Sequence, residues 1–534
     1  MSESGKKQNF LHGAALLALA TAVVKLIGAF YKIPLKAVIG DQGYGYFITA
    51  YDIYSVLLMI STAGLPVAMS RMISQASSLG HYNQVRRIYK TARGIFLGLG
   101  IVSSLLMILF CEQLAEFQKQ PSAAIAILYL GPCALLMGII STFRGFFQGQ
   151  GNMRPTSVSQ VLEAVFKLIV GLVAAILIMR STGSVALAAG GAILGVTVSC
   201  LISAIFLYGK FRPAYRELPK TDEHILPYRT TAKRLLAIAV PITLGSAGLQ
   251  LLTVLETNLY MGQLLTANGL SQDTADTMKG IYNMAQTIFN MPCAFIVPIT
   301  ISVIPAVTSH LTLLNNKAVR ATEESAARIT GLISLPCAVG LCLLAEPVMA
   351  LLGGYSGEKL ALSSQLMMLL SISIFLYAIV QYTNALLQAH GYAHVPVVNM
   401  LLAGVMKLVV VYILVGNPNI GILGAPLGAA LCYLCIGIMN LIAIGRLVPQ
   451  KPALLKNLLK PVLPAGVMGL SVWLVSWGLK HLLGEDTSIL IQCGFPILVG
   501  VVVYCIAMVL CKTITKEDCQ LLPKGDKLAN LFHL

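Results

Sequence analysis

Charge is what this chain has least of. Asp, Glu, Lys and Arg together make up 11% of its 534 residues, against about a quarter in a water-soluble protein, and the mean hydropathy is +0.80. A soluble core does not account for that composition. Long polar stretches are missing as well: no segment between apolar runs exceeds about 26 residues, too short for a separate soluble domain. The G-x-x-x-x-G-K-[ST] loop that cradles nucleotide phosphates is absent, so the chain has no ATPase loop of its own. There is no H-E-x-x-H and no D-D-x-x-D, and the longest stretch assigned to the outer face, 263–280, holds only Asp273 and Asp276 as acids. General acid–base work finds few residues there. These absences favour a carrier over an enzyme such as a membrane glycosyltransferase or polymerase.

What is there is apolar sequence in long runs. Fourteen stretches, 11–31, 46–69, 94–111, 123–143, 158–179, 184–208, 235–262, 281–307, 329–352, 362–388, 395–415, 421–445, 458–479 and 488–511, mostly reach the ~20 residues that a bilayer-crossing helix needs. The first begins after Met1–Asn9 with its two lysines, which looks like a signal peptide, but the run is long, contains Lys25 and shows no small-residue cleavage pattern. It reads as the first crossing. Lys and Arg gather on alternate connections, 70–93, 209–234, 308–328 and 446–457 among them, and positive charge stays on the cytoplasmic face. Both termini are therefore expected in the cytoplasm. The net charge of +16 follows from these short basic connections, which suit anionic lipid headgroups and not nucleic acid. The 12 cysteines lie mostly inside apolar runs, and the C-x-x-C of Cys432 and Cys435 has no histidine or second pair nearby, so packing is expected there and no metal or cofactor.

The chain repeats itself. A shift of 240 residues sets Gln148-Gly149-Gln150-Gly151 on Gln388-Ala389-His390-Gly391 and Lys167 on Lys407, and a shift of 239 sets Leu65-Pro66 on Ile304-Pro305. Apolar matches come free in a membrane sequence, whereas Gln, Gly and an intramembrane Lys do not. Crossings 1–6 and 7–12 thus form two parallel six-helix lobes, 1–208 and 235–446, joined by a cytoplasmic linker at 209–234 and followed by crossings 13 and 14 with a tail in 447–534. Parallel repeats of this kind place a substrate path between halves in secondary transporters. Pro66, Pro292, Pro298 and Pro305 interrupt crossings 2 and 8 and favour bends there.

An ionisable residue inside a crossing costs about 2.5–3.5 kcal/mol at the bilayer centre and faces a bundle interior or a wet path. Here these are Lys25, Asp52, Glu163, Lys167, Glu256 and Lys407, with Lys32 at the outer end of crossing 1. Lys25 and Lys32 share a helical face, thinned by Gly28, and suit a phosphate or pyrophosphate. Glu163 and Lys167 have the spacing and order of an intrahelical pair. Lys407 has Ala403 where Glu163 stands in the first copy, so Glu256 is its candidate counterion and the two form a candidate coupling pair.

The run Lys25-Leu26-Ile27-Gly28, Tyr31-Lys32-Ile33-Pro34-Leu35, Gly43-Tyr44-Gly45-Tyr46-Phe47, Ala50-Tyr51 and Thr62-Ala63-Gly64-Leu65-Pro66 through Arg71 resembles a known branch of membrane carriers. It is similar to the polysaccharide-exporter branch of the multidrug/oligosaccharidyl-lipid/polysaccharide superfamily, above all to stage V sporulation protein B-like members, which include lipid II flippases. The segments Gln148–Pro155 and Gln388–Pro396 fit the same branch. The resemblance implies an all-helical protein of the bacterial plasma membrane, with two six-helix lobes around a cationic cavity and crossings 13 and 14 forming a groove for a polyprenyl tail. Its function would be flipping an undecaprenyl-pyrophosphate-linked saccharide, lipid II foremost, by alternating access. Lys25 and Lys32 fall on the basic residues of crossing 1; Tyr31, Asp52, Arg71, Glu163 and Lys167 join them as candidate substrate-binding residues. Asp52 stands where the branch has a basic residue. Lys407 falls on a polar position that helps bind a cation in relatives and Glu256 on an acid, so a fixed ammonium replaces a metal. Anionic lipids and a cell-wall synthesis complex are the other partners implied. The alternative carrier, a cation-coupled multidrug exporter, would prefer an acidic or aromatic cavity.

Overall fold

The computed structural model describes residues 3–62, 64–223, 225–312, 314–449, 452–483 and 488–513; the side chains of 3–19, of Lys25 and of several residues in 241–249 and 297–312, Pro298 and Pro305 included, lie outside the description. Among the described residues there is no strand, and nearly all of the chain is helix. Lipid offers backbone N–H and C=O groups no partner, and a helix satisfies them internally. Eleven helical stretches are long and apolar enough to cross a membrane, which makes this a multi-pass membrane protein. Expected crossing 2 falls in the stretch Phe30–Ser78 within that count, crossing 1 falls almost wholly on the earlier part of the same helix, and crossings 7 and 8 fall on two further long helices outside the count.

Two compact units divide the chain, Met1–Gly280 and Ile281–Leu534. The first holds α1 (Glu3–Thr62), α2 (Leu65–Ser78), α3 (Tyr82–Leu109), α4 (Cys111–Phe117), α5 (Ala124–Gly149), α6 (Arg154–Thr182), α7 (Val185–Arg216), α8 (Tyr228–Thr266) and the first turns of α9 (Gln272–Thr312). The sequence suggests a loop after residue 31, yet α1 runs on to Ile39 and breaks only at Gly40, where φ is 68°. Leu35 and Ile39 are buried there, and the intervening Lys36 is neutralised by Asp41 at 3.3 Å. Lys32 therefore lies two turns inside the helix and not at its end. A second break at Gly64 leaves Pro66 in the first turn of α2, where its missing N–H costs nothing.

Helices meet through small residues and turn large ones outward. On α6, Gly171 and Ala175 are buried while Ile169, Val173 and Leu177 are exposed at i, i+4 and i+8, an apolar stripe suited to lipid. A methyl group on Gly195 of α7 would strike the backbone of Gly171, so these two helices touch main chain to main chain. The connection between α7 and α8 is fastened to the start of α3. Arg86 donates to the Asn83 side chain at 2.8 Å and to the carbonyls of Pro219, at 3.0 Å, and Leu218. The Gln84 amide donates to Glu223 at 2.9 Å, the Gln84 side chain accepts from the Leu226 amide at 2.9 Å, and the Arg87 guanidinium lies 3.8 Å from the Tyr228 ring centroid. Desolvation pushes the Glu223 carboxyl up, but hydrogen bonds from the Thr221 hydroxyl and the Gln84 and Asn83 amides outweigh it and hold the group below its ordinary range.

The second unit contains the remainder of α9, then α10 (Asn316–Leu343), α11 (Ala345–Gly353), α12 (Gly357–Ala389), α13 (His394–Gly416), α14 (Gly424–Leu447), α15 (Leu454–Leu459), α16 (Val462–Leu483) and α17 (Ile489–Leu510). Asn440 of α14 ties α12 to α13: it accepts from Asn399 at 2.8 Å and donates to Asn384 at 2.8 Å and Thr383 at 3.0 Å. Cys432 packs with Val380, Ala403 and Ile436, as a small apolar residue does.

Helices α5 and α12 end alike. Gln150 and His390 donate to Phe146 and Leu386, each at 3.1 Å; Gly151 and Gly391 donate to Gln148 and Gln388, each at 3.0 Å. Gly151 and Gly391 have φ of 75° and 86°, a left-handed conformation that favours glycine and closes a helix. The two positions are repeat partners in the sequence, so the repeat reaches down to individual hydrogen bonds.

Candidate functional site

The membrane charges of the first unit converge. Lys32 on α1 interacts electrostatically with Lys167 on α6 and with Asp52. Along a straight helix, the 20 residues from Lys32 to Asp52 span about 30 Å; the break at Gly40 is what lets them meet. Asp52 in turn feels Glu256, buried on α8, and Lys279, buried on α9. Lys32, two turns inside α1, thus faces one charge of α6 and one of its own helix, and Asp52 links it to charges of α8 and α9.

Glu163 does not serve Lys167 alone. Its carboxylate makes a 3.0 Å ion pair with Arg144 of α5, whose Nε also donates to Ser159 at 3.0 Å. Lys167 retains a through-space interaction with Glu163, but its ammonium lies 5.8 Å from each of the Tyr31 and Tyr51 ring centroids. That is cation–π distance, and aromatic faces hold a cation without cancelling its charge. Tyr31 is itself buried, with its hydroxyl donating to the Ala192 carbonyl at 3.4 Å. It therefore positions Lys167 from below. Asp52 is the carboxylate near Lys32, and Glu163, shared with Arg144, is the one near Lys167, which leaves this corner positive and suited to an anion.

The remaining candidates lie apart from that corner or beyond the description. Lys25 is on α1, with its side chain outside the described residues. Arg71 is exposed on α2 and has no hydrogen bond or ion pair among the described residues. Lys407 is half-buried on α13 of the second unit. No group of three or more His, Cys, Asp or Glu side chains suited to a metal occurs among the described residues.

Sequence reasoning missed Arg144 and Lys279. They fall one residue past the expected crossing that ends at 143 and two before the one that begins at 281, and so count as loop charges; nothing in hydropathy says that Lys279 is fully buried. The second unit adds an apolar cavity of about 380 Å³ whose walls include Pro336 and Gly340 of α10, Met468 and Val472 of α16, and Gly500 and Tyr504 of α17.

Comparison with known proteins reads this arrangement. Residues 10–310 match the family described as polysaccharide biosynthesis protein. The chain belongs to that family. Within the family's reach, it is 25% identical to lipid II flippase MurJ of Bacillus subtilis over 489 residues, 88% of each chain. It is also 25% identical to stage V sporulation protein B of the same bacterium over 449 residues, 83% of this chain and 85% of that one. Among solved structures, lipid II flippase MurJ in an inward closed conformation matches with a TM-score of 0.65 at 14% identity, covering 93% of this chain and 98% of that one. An inward-facing multidrug resistance MATE family transporter of the MOP superfamily matches with a TM-score of 0.63 at 17% identity, covering 80% and 99%. The fold is the one these family members and MATE transporters share, as the motif around Tyr31 and Gly64 implies.

Proposed function

We propose that this protein is a flippase for a polyprenyl-pyrophosphate-linked saccharide, with lipid II as its substrate, working by alternating access in the bacterial plasma membrane. The observation that carries the reading is the positive corner of Lys32 and Lys167, two ammonium groups inside a membrane unit whose nearby carboxylate Glu163 is shared with Arg144. A pyrophosphate is the anion that such a pair recognises; a cationic drug would be repelled, which disfavours multidrug export. Lys25, which the sequence sets seven residues before Lys32, is assigned to the same headgroup. The apolar cavity against α16 and α17 offers walls for an isoprenoid chain. Nothing here calls for catalysis, and the transferred lipid leaves as it entered.

Fourteen crossings, two six-helix repeats divided at 209–234 and cytoplasmic termini complete the reading, supported by the basic connections and by the matching ends of α5 and α12. Reporter fusions at Glu217 and at Asp273 are expected on opposite faces, Glu217 in the cytoplasm; the same face for both would overturn the repeat. We assign coupling to Glu256 and Lys407. Depleting the protein should make one lipid-linked precursor accumulate on the inner leaflet, and its headgroup names the substrate. Rescue should succeed with the native chain and fail with Glu256→Gln or Lys407→Met. A different saccharide on the same lipid would correct lipid II alone, whereas no accumulation of any lipid-linked saccharide would remove the flippase.

A further inference from the structure

Among the described residues, Lys279 is the most deeply buried lysine of the first unit. Its ammonium donates to Gln120 at 2.8 Å and to the hydroxyl of Thr49, and all three residues have no exposed surface. Gln120 passes the connection on, donating to Asp276 at 2.8 Å; Gln272 donates to the same carboxylate at 2.9 Å and Tyr46 at 3.2 Å. This one network joins α1, the segment before α5 and the first turns of α9, at the charge-poor end of the unit. The backbone closes with it: a methyl group at Gly280 would run into the carbonyl oxygen of Asp41. Close approach and buried polar groups make an interface that either fits completely or opens completely.

The same ammonium also interacts with Asp52, the carboxylate that Lys32 faces. A buried lysine with two carboxylates in range, beside two ammonium groups suited to an anion, has a reason to leave its present partners. We propose that Lys279 is a further binding residue for the anionic headgroup, held in reserve by Thr49, Gln120 and Asp276, and that the charge-poor end of this unit stays closed until an anion takes the ammonium. An entering phosphate group offers Lys279 oxygens in place of Gln120 and Asp276. Losing Lys279, the network loses its tie from α9 to Thr49 and one of the two from α9 to Gln120, and the hold on the turns around Asp276 is weakened. The assignment rests on the proposed phosphate-bearing substrate, but its test reads closure separately from transport.

The test places a cysteine at Ala275, which is fully buried in the first turn of α9. The chain is held in nanodiscs, where both faces meet a membrane-impermeant thiol reagent, and labelling is compared with that of the same chain lacking the added cysteine. Labelling of Ala275→Cys should be slow, and millimolar inorganic pyrophosphate should accelerate it. Adding Lys279→Gln should raise the rate about tenfold or more, the scale on which a minor open state becomes a major one, and should abolish the response to pyrophosphate. Gly280→Ala, which leaves Lys279 intact, should raise the rate by wedging the backbone but keep the pyrophosphate response. If Lys279→Gln does not accumulate, Asp276→Asn is read in its place for the effect on closure. Unchanged labelling in the Lys279 or Asp276 variant overturns the closing role. An Ala275→Cys chain with Lys279 intact whose labelling is indifferent to pyrophosphate overturns the anion role. Fast labelling in the variants together with normal flipping by a chain without Lys32 and Lys167 would keep the closure and discard the phosphate-bearing substrate.

Discussion

Replacing Lys32 and Lys167 together by alanine should abolish flipping while leaving the protein in the membrane at its normal level. With the proposed pyrophosphate substrate each ammonium would make charge-assisted contacts to a phosphate, and hydrogen bonds to charged groups contribute about 1.5–3 kcal/mol apiece, so losing both predicts a fall of about two orders of magnitude or more. Folding should suffer little, because removing two like charges that face each other relieves repulsion as well as the attraction to Asp52 and Glu163. Lys167→Arg should keep part of the activity: the charge remains over Tyr31 and Tyr51, but the planar fork presents its donors differently. Transport of a fluorescent lipid-linked pyrophosphate analogue in proteoliposomes measures the effect. Undiminished transport by the double variant would mean that the headgroup passes elsewhere.

Removing His390 should destabilise the second unit by about 3–5 kcal/mol, the cost of leaving a buried charge without its partner. Its ring nitrogen lies 2.6 Å from the carboxylate of Glu323, and the two side chains are 5% and 0% exposed. The surroundings offer little relief, since the other Glu323 oxygen has no hydrogen bond among the described residues and Tyr382 is committed to the Glu323 carbonyl at 2.7 Å. Glu323→Gln combined with His390→Ala should recover part of the loss, because an amide is cheaper to bury than a carboxylate. Unfolding of the two single variants and the double one in detergent gives the coupling energy. Additive losses would show that the 2.6 Å contact contributes nothing of its own.

His390 also shows which parts of this molecule a sequence reveals. The sequence sets it opposite Gln150 within a repeat of Gln and Gly that apolar drift does not produce, without marking its contact with Glu323, and the helix ends at Gly151 and Gly391 keep the same hydrogen bonds. Lys167 and Lys407 were legible for the same reason: a lysine in an apolar run is costly and therefore conspicuous. Lys279 and Arg144 were not, because hydropathy places the edge of a crossing beside them and a charge beside an edge reads as solvated. What decides their burial is packing by segments far away in sequence, such as Gln120 over Lys279 and Glu163 against Arg144. Lys32 failed in the opposite sense. It was placed at a helix end, whereas Leu35 and Ile39 carry the helix onward for two more turns.

The connection between α7 and α8 has a mechanical meaning. A polar segment joining two long helices ordinarily acts as slack rope, transmitting nothing until it is drawn tight. Here Arg86, Gln84 and Arg87 grip it at Leu218, Pro219, Glu223, Leu226 and Tyr228, so almost no free length remains on the α8 side. A tilt of α8 must pull on the first turn of α3 at once, or else break those bonds. The joint therefore acts as a crank, and any stroke of α8 arrives at α3 without lost motion.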